Sequence, residues 1–356
     1  MKNTPAPPSR YRLQHYLALS YALFIVYVSL TPFSGWQDQG LLFSDVLLAP
    51  LEQTFTWFDA VLNCLAYMPL GFMLAYMLRP YFRMRHVILL STCGGLALSA
   101  LMEYTQMYLP ARVSSNMDML NNSTGAFIGA LCALLIARHA WFSRVNNWHK
   151  LWFKHGRSND FGLALAAMWL FAQTNPSLPM LGSVFIREVA RWQFDIVPVT
   201  PFNWLESAVV ALNLLLLGIL LFSLLRERRH TLGLLMLVLG AVTLIKFLAA
   251  AVLLKSWALL LWLNSEAMLG ILAGWLLLML CIRLPRRWLL AAAGLAAVAY
   301  LLLVRDMLLN SAPATAMRLF HWHYIHMLNY NGFTQLVNML FPLLLLLYLW
   351  RSGIKR

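Results

Sequence analysis

Apolar stretches of about 20 residues alternate with short polar links along the whole chain, and that is the length a helix needs to cross the hydrocarbon core of a membrane. The fifth stretch is the weakest, because Asn175 and Pro176 cut it short. The predicted spans are residues 13–33, 57–79, 85–108, 119–142, 159–175, 203–225, 231–254, 257–282, 287–304 and 334–350. The pattern predicts an all-α fold, a polytopic helical bundle of about ten transmembrane helices.

Composition supports a membrane protein over a soluble one. The chain is 61% hydrophobic and 11% charged, whereas soluble domains carry about 25% charged residues. The net charge of +14 does not predict a nucleic-acid partner, because the basic residues lie in short clusters between apolar spans. The four cysteines lie within apolar spans and form no C-x-x-C pair. We therefore expect no disulfide, no metal and no cofactor.

The distribution of basic residues predicts an orientation. Of the 27 Lys and Arg residues, twenty lie in the links on one side of the predicted bundle, six on the other, and Lys246 within a span. Basic residues are enriched on the cytoplasmic side of membrane proteins. Both termini are therefore predicted to be cytoplasmic, in a multi-pass protein.

Polar residues gather at one end of three consecutive spans, where charged groups are costly to hold. Each of the second, third and fourth spans carries a pair of polar residues three or four positions apart, which places both members on one helix face. The pairs are Asp59 with Asn63, Glu103 with Gln106, and Asp118 with Asn122. Arg112 lies in the link between the third and fourth spans. We predict that these groups converge at one depth near the outer face.

Two interpretations of this polar cluster stay open. In a structural interpretation, the acids cap helices, the amides hydrogen-bond between helices, and Arg112 neutralises Glu103. Gly71 continues the stripe of the second span, and Gly125 and Gly129 form a G-x-x-x-G packing motif. In a functional interpretation, the cluster is a pocket, because packing between helices needs amides and small residues rather than several carboxylates and an arginine.

These motifs resemble the VanZ-like family of bacterial membrane proteins. The similar residues are D-x-x-x-N-x-x-x-Y-x-P-L-G-F from Asp59 to Phe72, then E-x-x-Q, then R followed by D-x-x-x-N-x-x-G-x-x-x-G, within residues 13–142. Ser115 departs from the family pattern, which often has an acid there. The resemblance implies a bacterial cytoplasmic (inner) membrane location. It also implies a link to lipoglycopeptide (teicoplanin) resistance or to exopolysaccharide and envelope biogenesis, but no settled biochemical activity.

The first functional hypothesis is a cell-envelope protein that binds or modulates an anionic or polyprenyl-linked lipid at the outer face. Arg112 would grip a phosphate or carboxylate, because its guanidinium offers a bidentate fork. The remaining ligand-binding candidates are Gln106, Asn122, Asn63 and Asp59. Membrane lipids are then the expected partners, and other envelope proteins are a further expected class.

Two alternatives come from different classes of protein. An intramembrane enzyme acting on lipid-linked substrates would use Glu103 as general acid or base and Asp118 to orient a water or hydroxyl. A secondary transporter would use Lys246 and Glu266, which lie within the seventh and eighth predicted spans. Their matching predicted depth also favours a purely structural ion pair between them.

The second half of the chain carries weaker signals. We predict a membrane domain at 1–142, an interfacial cytoplasmic linker at 143–158 and a second six-helix domain at 159–356. A divergent internal repeat would relate spans two to four to spans six to eight, with Asp59 aligned to Glu206. The histidine-rich segment 321–326 is predicted to be an interfacial segment rather than a metal site.

Overall fold

The computed structural model describes residues 12–50, 57–139, 144, 148, 151–186, 189–192, 195–198, 202–308, 317–321 and 325–353. Its helices are α1 Leu13–Leu30, α2 Phe43–Leu48, α3 Trp57–Leu78, α4 Met84–Gln106, α5 Asn116–Ile136, α6 Arg157–Gln173, α7 Trp204–Leu224, α8 Thr231–Leu253, α9 Ser265–Cys281, α10 Arg286–Leu308 and α11 Ile325–Gly353. A short antiparallel hairpin joins β1 Val189–Trp192 to β2 Asp195–Pro198. The prediction of a helical membrane bundle is confirmed, with this hairpin as an addition.

Among the described residues, eight helices are long and apolar enough to cross a membrane: α1, α3, α4, α5, α7, α8, α10 and α11. The predicted fifth and eighth spans correspond to α6 and α9, which have 17 residues each. At about 1.5 Å per residue, each is roughly 26 Å long, slightly short of a hydrocarbon core of about 30 Å. Eight helices of the described part of the chain therefore have spanning length, and the total of ten spans stays a prediction.

The chain forms two compact units, residues 1–151 and 152–356. In the first unit, α1, α3 and α4 enclose a core that includes Ile25, Leu70 and Met102. Helix α5 packs along both α3 and α4. Its N-cap is Ser115, whose hydroxyl accepts the backbone N–H of Met117 at 3.2 Å. Helix α5 thus begins three residues earlier than predicted, and Asp118 lies in its first turn rather than at the cap.

In the second unit, α7 is the central helix, and most of its residues are buried. Helices α9 and α10 pack against it, and α6 packs against α11. The segment 174–186 that follows α6 is also largely buried. A buried loop needs partners for its polar backbone groups. Side chains of the bundle supply some of them: Asn213 donates to the Leu181 carbonyl at 2.7 Å, and Lys246 donates to that of Pro179 at 3.2 Å.

Some predictions concern parts of the chain that the structure describes only in part. Residues 143, 145–147, 149 and 150 of the predicted interfacial linker lie outside the described residues, as do residues 322–324 of the histidine-rich segment. The boundary between the two units, at residues 151 and 152, falls within the predicted linker 143–158. The sidedness of the termini and the internal repeat stay predictions.

Candidate functional site

The polar cluster predicted at the ends of α3, α4 and α5 centres on two carboxylates. Glu103, in the last turn of α4, is 3% exposed, and its Oε2 accepts the backbone N–H of Ser115 at 2.8 Å. Asp118 Oδ1 accepts Nδ2 of Asn63, on α3, at 2.7 Å. The two acids lie close enough to interact through their charges, and Asp59 lies close enough to Asp118 to do the same. One oxygen of Glu103 and one of Asp118 have no hydrogen-bond partner among the described residues.

Amide and hydroxyl groups lie deeper in the same cluster. Asn122, on α5, donates from Nδ2 to the hydroxyl of Ser99, on α4, at 2.9 Å. Its Oδ1 is buried and accepts no hydrogen bond from the described residues. The Tyr67 hydroxyl, on α3, is likewise buried, and it faces Ser99 without a hydrogen bond of normal geometry. Nε of Arg112 is also buried and without a partner among the described residues. An unpaired polar atom is costly in a membrane interior, so these three atoms are the strongest sign that the cluster receives a ligand or water.

Arg112 and Gln106 bind the protein's own backbone. Arg112 Nη2 donates to the carbonyl oxygens of Val28 and Thr31, at 3.0 and 2.9 Å, and Gln106 Nε2 donates to that of Ser29 at 2.9 Å. The last carbonyls of a helix have no intrahelical partner, so both side chains cap the C-terminal end of α1. Burial lowers the pKa of the Arg112 guanidinium, although an arginine stays charged at neutral pH.

This geometry changes the role expected for Arg112. A guanidinium can grip an anion through two pairs of nitrogens, either Nε with Nη2 or Nη1 with Nη2. Both pairs include Nη2, which in Arg112 already donates to the end of α1. A bidentate grip on an anion would therefore displace the carbonyls of Val28 and Thr31. The described salt bridges also do not pair Arg112 with Glu103. The structural interpretation is favoured for Arg112, while its role as an anion contact stays an untested prediction.

The predicted glycines hold α3 and α5 together. A β-carbon on Gly125 would overlap the carbonyl oxygen of Cys64, one on Gly129 that of Met68, and one on Gly71 that of Ala126. The G-x-x-x-G motif thus lets the two backbones touch. Because α3 carries Asn63 and α5 carries Asp118, this close approach sets the distance between those two side chains.

A strap formed by residues 37–49 crosses the link between α4 and α5. The backbone N–H of Gln37 donates to the Tyr108 carbonyl at 2.8 Å, and the Gln39 side chain donates to the Met107 carbonyl at 2.7 Å. Asn116, at the start of α5, donates to the Ala49 carbonyl at 2.7 Å. The strap therefore lies beside the loop that positions Ser115, at the end of the bundle where the cluster lies.

Lys246 and Glu266 do not form the expected ion pair. Lys246 is fully buried and donates to Pro179, and none of the salt bridges among the described residues includes it. Glu266 accepts the backbone N–H of Asn203 at 3.3 Å and the hydroxyl of Ser265 at 3.0 Å. The prediction was wrong because α9 begins at Ser265, whereas the apolar stretch begins earlier. Glu266 thus lies in a first turn and not well inside a helix.

Sequence reasoning missed Ser99 as a member of the cluster. Ser91, Gly95, Ser99 and Glu103 follow one another at intervals of four along α4, and all four are buried. Small and polar residues at this spacing form one helix face. This polar stripe could therefore be identified from the sequence. A single serine in an apolar span does not by itself indicate a polar contact, because the helix that packs against it is not known from the sequence.

The comparisons with known proteins agree with the motifs of this first unit. The family model described as VanZ/LLP1 matches residues 9–138, which contain α1 to α5 and every residue of the polar cluster. No curated protein and no solved structure matches the chain. The resemblance in the first half is confirmed: residues 9–138 are similar to the VanZ/LLP1 family.

Proposed function

We propose that the chain is a cell-envelope membrane protein whose VanZ-like segment binds a lipid-linked envelope compound at the cluster around Glu103 and Asp118. The observation that carries the proposal is the set of acceptors left unused there. One oxygen of each carboxylate, together with Oδ1 of Asn122, has no donor among the described residues. With the Tyr67 hydroxyl, these atoms offer three acceptors and one group that can donate or accept.

The chemistry of these atoms indicates the kind of headgroup. Carboxylates and amide oxygens accept hydrogen bonds, so they complement hydroxyl or ammonium groups rather than a phosphate. Hydrogen bonds to a charged partner contribute about 1.5–3 kcal/mol each. Sugar hydroxyls or an amino group on a polyprenyl-linked compound would satisfy the cluster, and the surrounding helices would accommodate the tail. Since Arg112 Nη2 is engaged by α1, the proposed headgroup contacts do not include Arg112.

The binding test compares near-isosteric variants with a matched control. Asp118→Asn retains the acceptor for Asn63 but replaces the unused oxygen with an amide that donates. Tyr67→Phe removes only the hydroxyl. Asp45→Asn removes an exposed carboxylate of α2, outside the cluster, and serves as the control. Native mass spectrometry of the purified proteins with a monoglycosyl polyprenyl lipid, and with its sugar-free counterpart, measures the bound fraction.

We expect the wild type and Asp45→Asn to bind the glycosylated lipid alike, and Asp118→Asn to bind it about tenfold more weakly, a factor equal to about 1.4 kcal/mol. The sugar-free lipid should discriminate little between the variants. Equal binding of the glycosylated lipid by Asp118→Asn and the wild type would refute the proposal.

An enzyme at the same site is the second candidate. It is favoured by the hydrogen bond from the Ser115 N–H, which fixes the Glu103 carboxylate in place. A general acid or base must be held in this way within reach of its substrate. Glu103→Gln should then accumulate a bound lipid that the wild type converts, whereas a pure binder would show the same unmodified lipid in both proteins.

A further inference from the structure

The second unit contains a cavity of about 410 Å³ that none of the sequence motifs predicts. It lies where the start of α6, the end of α7, the start of α10 and the end of α11 meet. Its volume falls within the range of about 300–1,000 Å³ that small-molecule sites occupy. The cavity is separate from the polar cluster of the first unit.

The cavity is lined by basic residues without acidic ones. Lys154, Arg157, Arg228 and Arg286 line it, and the described lining residues include no Asp or Glu. The three arginines form no salt bridge with any described residue. The nearby acid Glu227 is already paired with Arg229, at 2.8 Å. The like charges of three arginines around one concavity repel each other, and an anion between them would relieve that repulsion.

The basic side chains are held by the walls of the cavity. Arg286 Nη2 donates to the Ser352 carbonyl at 3.1 Å, and Lys154 Nζ donates to the Ser223 carbonyl at 2.8 Å. The Arg228 guanidinium lies 5.0 Å from the centre of the Phe222 ring. Such contacts limit the rotamers that would otherwise have to be ordered on binding. Three of the four basic side chains are therefore positioned by contacts with the protein, while the three arginines stay exposed enough to meet a ligand.

Neutral polar side chains complete the wall. The Ser223 hydroxyl donates to the Leu220 carbonyl at 2.7 Å and lies 3.0 Å from the buried Tyr348 hydroxyl, which donates to Asn159 at 3.4 Å. Gly156 precedes α6 with a φ of +139°, which only glycine adopts readily, and the first turn of α6 contributes to the lining. The N–H groups of a first helical turn have no intrahelical partner and favour negative charge.

The remaining wall is apolar, which distinguishes this cavity from a site for a free ion. Leu284, Leu289, Leu290 and Leu349 line it beside the basic residues, and Leu284 is 42% exposed. An amphiphile with an anionic head and a hydrocarbon tail would satisfy both walls at once. The basic links on this side are also those that the positive-inside rule predicts to be cytoplasmic.

We propose that this cavity binds a phosphate group, carried by a membrane lipid whose tail lies against the leucine wall. The site goes beyond the function proposed for the first unit and assigns a ligand class to the second. Guanidinium groups, with the lysine, match the oxygens of a phosphate monoester or diphosphate. Anion recognition would thus belong to this cavity rather than to Arg112.

The test uses paired variants that change the net charge equally. The double variant Arg228→Gln/Arg286→Gln removes two arginines from the cavity lining. The control Arg226→Gln/Arg287→Gln removes two arginines close to them in sequence, which are also exposed but do not line the cavity and form no salt bridge with a described residue. Full-length proteins in detergent are titrated with dioctanoyl phosphatidic acid, with dioctanoyl phosphatidylcholine, and with inorganic pyrophosphate. Native mass spectrometry measures the bound lipid, and size-exclusion chromatography checks that each protein stays folded.

We expect phosphatidic acid to bind the wild type and the control equally and the cavity variant at least ~10-fold more weakly, with little binding of phosphatidylcholine to any of them. Equal weakening in both double variants would overturn the proposal, because it would show general attraction to surface charge. No weakening in either variant would overturn it as well.

Two further measurements separate the sources of phosphate and cover a folding failure. Competition by pyrophosphate supports a phosphate site, whereas pyrophosphate binding with no binding of phosphatidic acid would overturn the lipid assignment. If the cavity variant does not fold, the variant Arg228→Lys/Arg286→Lys is measured instead. It retains both positive charges but replaces each bidentate guanidinium with a single ammonium group. Its phosphatidic acid affinity should fall relative to the wild type by about threefold or more, and an unchanged affinity would refute the built site.

Discussion

The contact between α3 and α5 can be tested by adding one methyl group. In Gly129→Ala, the new β-carbon would lie 2.8 Å from the carbonyl carbon of Met68 and would overlap its oxygen. Ordinary β-carbon contacts begin at 3.4 Å. The helices must therefore separate by more than the roughly 0.6 Å that the carbonyl carbon alone requires, because the oxygen lies closer and both atoms belong to a backbone that cannot rotate away. Gly94→Ala is the matched control, since its β-carbon meets only a flexible side-chain atom of Leu74 at 3.2 Å.

The magnitude follows from two opposing effects. Alanine in a helix is favoured over glycine by about 1 kcal/mol, while forcing extra volume into a packed interface costs about 1–3 kcal/mol. The separation also stretches the 2.7 Å hydrogen bond between Asn63 and Asp118, which is worth about 1 kcal/mol or more. We expect Gly129→Ala to lower the free energy of unfolding by about 1–3 kcal/mol, and Gly94→Ala to change it by less than about 1 kcal/mol.

The assay is unfolding of the purified protein by SDS in mixed micelles, followed by tryptophan fluorescence. A stability of Gly129→Ala equal to or above that of the wild type would refute the reasoning, because helix propensity alone would then decide the outcome. Gly129→Ala should also weaken the binding of the glycosylated lipid, since the cluster depends on the same helix spacing.

Further predictions concern side chains whose partners differ from those expected. In a double-mutant cycle measured by SDS unfolding, Lys246→Met and Glu266→Gln should show a coupling energy below about 0.5 kcal/mol. A coupling energy above about 1 kcal/mol would show that the two side chains do form an ion pair. Arg112→Lys should lower the free energy of unfolding by about 1–3 kcal/mol, because one nitrogen serves two carbonyls, while binding of the glycosylated lipid is retained. Unchanged stability with lost binding would instead make Arg112 a ligand contact. Gln106→Ala should lower the free energy of unfolding by about 1 kcal/mol, because the Ser29 carbonyl loses its donor. The amount of co-purifying lipid should not change, and a loss of that lipid would contradict the capping role.

The helices could be predicted from the sequence because hydropathy and length are local properties. The predicted spans fall on helices. The G-x-x-x-G motif packs as expected, because glycines four residues apart leave room on one helix face for the backbone of another helix. The convergence of Asn63, Glu103, Asp118 and Asn122 was also predictable, since consecutive spans alternate in direction. Shorter apolar stretches were less certain: α9 begins at Ser265 because the chain before it forms turns, which an average over hydropathy does not detect.

By itself, the sequence determined a VanZ-like segment, a set of apolar helices of membrane-spanning length, and the helix ends at which polar residues gather. The tertiary structure decided which partner each polar group takes. Arg112 binds the end of α1 rather than Glu103, and Lys246 holds a buried loop rather than Glu266. The basic cavity also appears only when four segments distant in sequence meet. The physical reason is that long polar side chains reach several angstroms and bond to whatever acceptor the packing brings near, and the nearest acceptor is often a backbone carbonyl that no residue type reveals.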